Sequence, residues 1–354
     1  RLHLLGQTGA RAMTGWAWCR QWSYGYNTLM TQRRSETNAE VVFPALIEPY
    51  AGAPFIKARR LLAIPGNEAD AARAVAVEVV TTNGHTDVVF ADGRPDVVRT
   101  FAGPGGAFRM AGEFAYCSTD AAGLRQATLA AGTLLEGPGV KLEAAVRERT
   151  GTVATVDYQA RSFTLAESWP ADLPEASRAV EIGVPGRWTT YMVKRSATGG
   201  KTAFATEGGA DYYLSRVKAV DAAAREVRCG LGLPPRTGEP DLGFDKRLVV
   251  SNKEGTRFWR ADYLGQRPGE KQYAFRLDGP VTAADFGADG SLRVWEYGVG
   301  DTVRQGTGVT LRRAAAGGYE LSGDVDVTVT MGGKSRTVTV KELAQGNGCV
   351  TLQP

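Results

Sequence analysis

Between residues 16 and 26 the chain places Trp16, Trp18, Trp22, Tyr24 and Tyr26 within eleven residues, with Arg20 and Gln21 among them. Indole and phenol faces offer apolar area to a sugar ring, and a guanidinium grips a carboxylate through two parallel hydrogen bonds. Trp16, Trp18 and Arg20 alternate, so an extended segment would show all three on one face. Trp16, Trp18, Arg20, Trp22, Tyr24 and Tyr26 are therefore candidate carbohydrate contacts. Indoles also fill the edges of sandwich cores, and the flanking Met13, Leu29 and Met30 suit that packing role equally.

Other chemistry is sparse. His3 and His85 are the two histidines, too few and too far apart for a recognisable zinc spacing, so no metal or cofactor is expected. No Gly-x-Ser-x-Gly marks a nucleophile, and Gly103-Pro-Gly-Gly is not followed by the Gly-Lys-Ser of a phosphate loop. Asp324 and Asp326 would share one face of a strand, where two carboxylates fall short of the six or more oxygens calcium needs and suit a solvated face. Cys19, Cys117, Cys229 and Cys349 lack CxxC spacing; they fit two disulfides, in three connectivities, or four buried thiols.

The elements that must carry these residues read as strands throughout. Asp324-Val-Asp-Val-Thr-Val-Thr-Met has period two, and Asn83-Gly84 and Gly332-Gly333 sit where hairpins turn. Only Asn67 to Ala72 suggests a helix, capped by Asn67. Strands with turns every eight to twelve residues predict an all-β chain: an antiparallel β-sandwich, of supersandwich type, followed by smaller β-barrel or β-sandwich modules. The expected division is 1–150 sandwich, 151–246 a small barrel ending in the Pro/Gly-rich linker Leu233 to Phe244, and 247–354 a second sandwich. No internal repeat of twenty to fifty residues stands out.

With 354 residues, 43% of them hydrophobic, the chain can bury substantial cores. Its net charge of +4 arises from 42 basic and 38 acidic residues without long like-charged blocks, which argues against nucleic acid. No apolar run approaches the ~18 residues of a spanning helix. The sequence begins at Arg1, inside what reads as a strand, which points to a piece of a longer polypeptide.

One stretch is more specific. Ile47-Glu-Pro-Tyr-Ala-Gly-Ala-Pro-Phe-Ile is a strand, a proline-limited corner and a second strand, followed by Ala74-Val-Ala-Val-Glu-Val-Val and an Asn83-Gly-His-Thr-Asp hairpin. Over Arg1 to Thr150 this resembles the C-terminal β-sandwich of heparinase II/III-like polysaccharide lyases. The resemblance implies a secreted or periplasmic protein whose parent performs β-elimination on a uronic-acid polymer. In that family an (α/α) toroid before the sandwich supplies much of the chemistry. No catalytic residue transfers onto this sequence.

Three expectations follow. The chain is a non-catalytic scaffold that contacts acidic polysaccharide; or it is the β half of a lyase completed by its upstream toroid; or its β modules assemble with copies of themselves into a filament or surface layer.

Overall fold

The computed structural model describes residues 1–5, 44–67, 74–170, 179–184, 187–198, 201–206, 211–230, 248–266, 272–287, 290–346 and 348–353, and strand backbone alone at 10–19, 24–33, 184, 187, 197–198, 211–214 and 266. The chain is all-β, with one large sandwich-like sheet and two six-stranded barrels. It separates into two compact units, one formed mainly by Arg1–Glu148 and Gly306–Pro354, the other by Arg149–Ala171 and Ser177–Gln305.

The first unit is built on a twelve-stranded sheet whose main path runs Lys334–Val338, Val327–Met331, Val140–Ala144, Gly123–Gly137, Gly106–Asp120, Thr86–Asp92, Ala74–Thr81 and Ile56–Leu61. Period-two alternation sends Phe90, Phe101, Phe108, Leu129, Leu135 and Leu142 into one core. Full burial of each such side chain is worth about 1.5–3 kcal/mol. Phe101 stacks between Phe90 and Phe108, with ring centroids 5.9 and 5.5 Å away. The central strands pair over their length with shifts at Leu124/Gln126 and Gly132/Leu134. At the second shift Gly112 and Gly132 touch: a Cβ on Gly112 would lie 2.7 Å from the Gly132 Cα, so neither position takes a side chain.

Strand pairing divides the chain differently from the sequential modules expected. Thr302–Gly306 closes the first barrel, with Glu148–Asp157, Ser162–Leu165, Ala179–Val184, Arg187–Thr198 and Lys201–Thr206. Leu248–Asn252, Phe258–Gln266, Tyr273–Leu277 and Ser291–Trp295 complete the second, with Asp211–Asp221 and Glu226–Cys229. Gly308–Arg313 then returns to pair with Gly123–Gly137 of the main sheet. Residues 247–354 thus supply three separate structures, because antiparallel partners are chosen by packing that local periodicity does not record.

The two barrels are the same structure twice. Numbered within each barrel, both have strand order 1-2-5-4-3-6. Val153 and Val217 occupy matching register shifts, and their N–H groups donate to the carbonyls of Asp301 and Gly290. The pairings then run in parallel: Phe163 faces Phe204 as Val227 faces Phe275, Val180 faces Tyr191 as Val250 faces Trp259, and Ile182 faces Val303 as Asn252 faces Leu292. Two residues before Val303 and Leu292 stand Asp301 and Gly290, so the correspondence closes on itself. The second copy lies between the fifth and sixth strands of the first, which breaks the repeat in sequence.

Helix is present where none is expected. Thr339 caps Val340–Gln345 in a reciprocal arrangement with Glu342, and Leu343 anchors the turn in the core. The helix expected over Asn67 to Ala72 and the linker Leu233 to Phe244 lie outside the described residues, apart from Asn67. Among the described residues no helix is long and apolar enough to cross a membrane.

Candidate binding site

Of the six predicted carbohydrate contacts, Arg20 and Trp22 lie outside the described residues, as do the side chains of Trp16, Trp18, Tyr24 and Tyr26. The backbone still fixes their order. Ala10–Cys19 and Tyr24–Arg33 form a hairpin in which Trp16 opposes Asn27, Trp18 opposes Gly25, Ala17 opposes Tyr26 and Cys19 opposes Tyr24. Cross-strand partners share a face, so positions 16 and 18 belong to one face of the ladder and positions 24 and 26 to the other. The ladder therefore does not gather the four on a single surface.

The proline-rich corner is organised by Glu48, whose side chain is fully buried. One carboxylate oxygen accepts from the N–H groups of Phe55 and Ile56 at 2.7 and 2.6 Å, closing the bend on itself. The other lies 2.8 Å from His3 Nε2. Burial opposes the charge, but the Ile56 N–H, the His3 ring and the Phe55 N–H outweigh it and hold the carboxyl at about 2. His3 is thereby a structural partner, on a strand that pairs with Ala45–Ile47.

His85 ends the Ala74–Thr81/Thr86–Asp92 hairpin. The turn is longer than the two-residue loop its Asn-Gly suggests: the Thr81 N–H donates to the His85 carbonyl, and of the pair only Gly84 has positive φ. Arg125 Nη1 lies 2.9 Å from His85 Nδ1 and 3.1 Å from Ser118 Oγ. A guanidinium only donates, so Nδ1 is the acceptor in this contact. Arg313 grips Asp120 with two bonds of 3.0 and 3.1 Å and holds that carboxyl below its usual range.

Asp324 does not sit on a solvated face. It is buried in a bend before Val327–Met331 and accepts from the Gly308 N–H at 2.7 Å, while Asp326 accepts from the Val340 N–H. The thiols of Cys117, Cys229 and Cys349 are free, so two disulfides do not form; Cys117 and Cys229 lie in separate cores, packed as small apolar groups. Among the described residues no three His, Cys, Asp or Glu side chains converge to hold a metal ion.

A concave site does form where the two barrels meet within the second unit. The turn between Glu148–Asp157 and Ser162–Leu165 is capped by Asp157, whose Oδ1 accepts from the Gln159 and Ala160 N–H groups, and it presents Tyr158. The Tyr158 ring stacks on Phe258 at 5.0 Å and leans on Trp295 at 4.3 Å, and its hydroxyl donates to the Tyr297 carbonyl at 3.0 Å. Burial pushes that hydroxyl well above the usual tyrosine range, against the pull of Arg260, so it stays a neutral donor. Gly298 lets the next loop close in: a Cβ there would stand 2.5 Å from Val249 Cγ2.

Two clefts flank this stack. One, of about 300 Å³, is lined by Val156, Val249, Phe258, Val299, Arg260 and Asp278 among others. The other, of about 480 Å³, presents Arg161, Lys253, Arg293, Asp157 and Glu254 beside Phe258 and Trp295. Both volumes lie in the range of small-ligand sites. Arg260 is committed to Asp301, at 3.1 and 2.9 Å, and to the Val299 carbonyl. Arg293 differs: its Nε is buried and has no hydrogen-bond partner among the described residues.

Ring faces beside guanidinium and ammonium groups can take an anionic ligand with a planar or ring-shaped body. Tyr158 is not among the candidate contacts read from the sequence. The available signal was the Asp-x-x-x-Arg spacing shared by 157–161 and 221–225, with tyrosine after the first aspartate and alanine after the second. No protein-family model, curated protein or solved structure matches the chain.

Proposed function

We propose that the chain is the non-catalytic all-β portion of a secreted heparinase II/III-like protein, a scaffold that contacts acidic polysaccharide. The observation that carries this is the barrel junction, where exposed aromatic surface adjoins Arg161, Lys253 and Arg293. The corner behind the family resemblance is also a defined device, a bend closed around the buried carboxylate of Glu48. A scaffold role suits the two histidines, which are engaged with Glu48 and Arg125. Self-assembly through sheet edges is disfavoured at both ends of the main path, where Lys57, Arg59 and Arg60 occupy one strand and Lys334 and Arg336 the other.

The test is retention of the intact chain on immobilised hyaluronan, with dextran beads as control. Retention that weakens with added salt, and no unsaturated uronate released by the chain alone, is the expected result. Equal elution from both matrices would refute the polysaccharide role. Sedimentation velocity on the same material should give a species near 37.8 kDa; a concentration-dependent larger mass would favour assembly.

A further inference from the structure

Ile56–Leu61 ends the main path of the large sheet: Ala74–Thr81 pairs with one side of it, and among the described residues no strand pairs with the other. Lys57, Ala58, Arg59 and Arg60 are all exposed. The ladder decides which backbone groups stay open. The Leu62 N–H donates to the Ala76 carbonyl, and antiparallel bonding skips alternate residues. Arg60 and Ala58 therefore turn toward Glu78 and Val80, while Arg59 and Leu61 turn their N–H and C=O groups outward. The cations are unequal too. Arg60 is held by Glu78 at 2.6 and 2.8 Å, whereas Lys57 and Arg59 have no carboxylate partner among the described residues. At the opposite end of the path Arg336 is held by Glu342, and Lys334 is engaged as well.

We infer that this edge receives an extended acidic peptide segment of a partner protein, which adds to the sheet as a further strand. The outward groups of Arg59 and Leu61 supply the backbone ladder for it. Lys57 and Arg59 supply the charge, and carboxylates at alternate positions of the segment share one face. Phe55, 41% exposed, immediately precedes the strand and offers ring surface to an apolar side chain at the segment's end. The same cations repel this edge of a second copy and attract a strand of opposite charge, so what blocks self-pairing also selects the partner. An acidic polysaccharide would neutralise the cations but has no regularly spaced peptide groups to match the open ladder.

The experiment is fluorescence anisotropy of a labelled peptide of about twelve residues, alternating glutamate and threonine, titrated with the intact chain. The peptide should bind, more weakly as salt is added, and its lysine-for-glutamate counterpart should not. Arg59→Ala should cost about threefold in affinity. Arg59→Pro loses the same charge and also the outward N–H, and should cost about a further fivefold; proline is tolerated there because that N–H is not used in the ladder. If Arg59→Pro lowers Tm, the peptide backbone carries the test instead: of two versions N-methylated at every glutamate or at every threonine, one should bind and the other should not, since only alternate groups face the edge. The double variant Lys57→Glu with Arg59→Glu should bind the lysine peptide. No binding of the glutamate peptide overturns the inference. Equal losses in the two Arg59 variants together with equal binding of both methylated peptides would leave charge without strand addition and overturn it too. Hyaluronan retention should be the same for wild type and Arg59→Ala; its loss there would assign the edge to polysaccharide in place of peptide.

Discussion

Arg161 and Arg225 hold the same place in two barrels: each follows an aspartate by four residues, each immediately precedes the second strand, and each has a left-handed backbone, at φ of 52° and 53°. That conformation costs a residue with a Cβ about 1–2 kcal/mol, and glycine recovers it less about 0.5–1 kcal/mol of extra chain entropy. Arg225→Gly should therefore be more stable than Arg225→Ala by about 0.5–1 kcal/mol in urea unfolding, both having lost the same side chain. Equal stabilities would mean that the turn relaxes when the arginine is removed.

The strand content, the Gly332-Gly333 turn and the sandwich with smaller barrels were legible in the sequence because alternation and glycine at positive φ are local properties. What escaped was non-local. Nothing in Thr302–Gly306 or Gly308–Arg313 says that the first closes a barrel begun at Glu148 and the second rejoins a strand near residue 126. The nested repeat was hidden for the same reason, since its copies agree in register more than in residue type. The helix was a different omission. Thr339-x-x-Glu342 has capping-box spacing, but the apolar alternation before it reads as a strand running through. At the site, Trp18 and Tyr24 look like neighbours in sequence, and only the hairpin register shows them on opposite faces.

Glu48 makes the first unit acid-sensitive. Its carboxyl sits at about 2 against an ordinary value of 4.5, so the stabilisation it brings is complete above 4.5 and is lost as pH falls from there through 2. Glu48→Gln should lower the urea midpoint of this unit at pH 7, and the gap to wild type should close between pH 4.5 and 2. A gap that stays constant across that window would show that the carboxylate's charge is not what closes the corner.

The thiols should react in an order set by burial. Cys117 is pushed up to about 12 and Cys229 upward, both mainly by desolvation, and both side chains are buried. Cys349 is half-buried, and burial raises it too. Native alkylation at pH 7.5, read by peptide mass spectrometry, should modify Cys349 first and leave Cys117 and Cys229 untouched until denaturant is added. Recovery of a disulfide-linked peptide containing Cys117 and Cys229 would contradict their placement in separate cores.

Tyr158 should set how tightly the two barrels unfold together. Its ring contacts Phe258 and Trp295 of the second barrel, and its hydroxyl donates to Tyr297 in the segment leading back to the first. Tyr158→Phe removes one neutral hydrogen bond and should cost about 0.5–1.5 kcal/mol, leaving a single barrel transition. Tyr158→Ala also empties the space between Phe258 and Trp295 and should cost about 2–4 kcal/mol. With that contact gone the barrels keep their own closed sheets and cores, so their unfolding should separate into two steps. Trp295 reports on it directly: its indole N–H is held by Ser251 at 2.9 Å and its face is covered by Tyr158, so its emission should shift to the red in Tyr158→Ala and hardly move in Tyr158→Phe. A single unshifted transition in Tyr158→Ala would place the coupling elsewhere, with Arg260 and its bonds to Asp301 and the Val299 carbonyl as the next residue to replace.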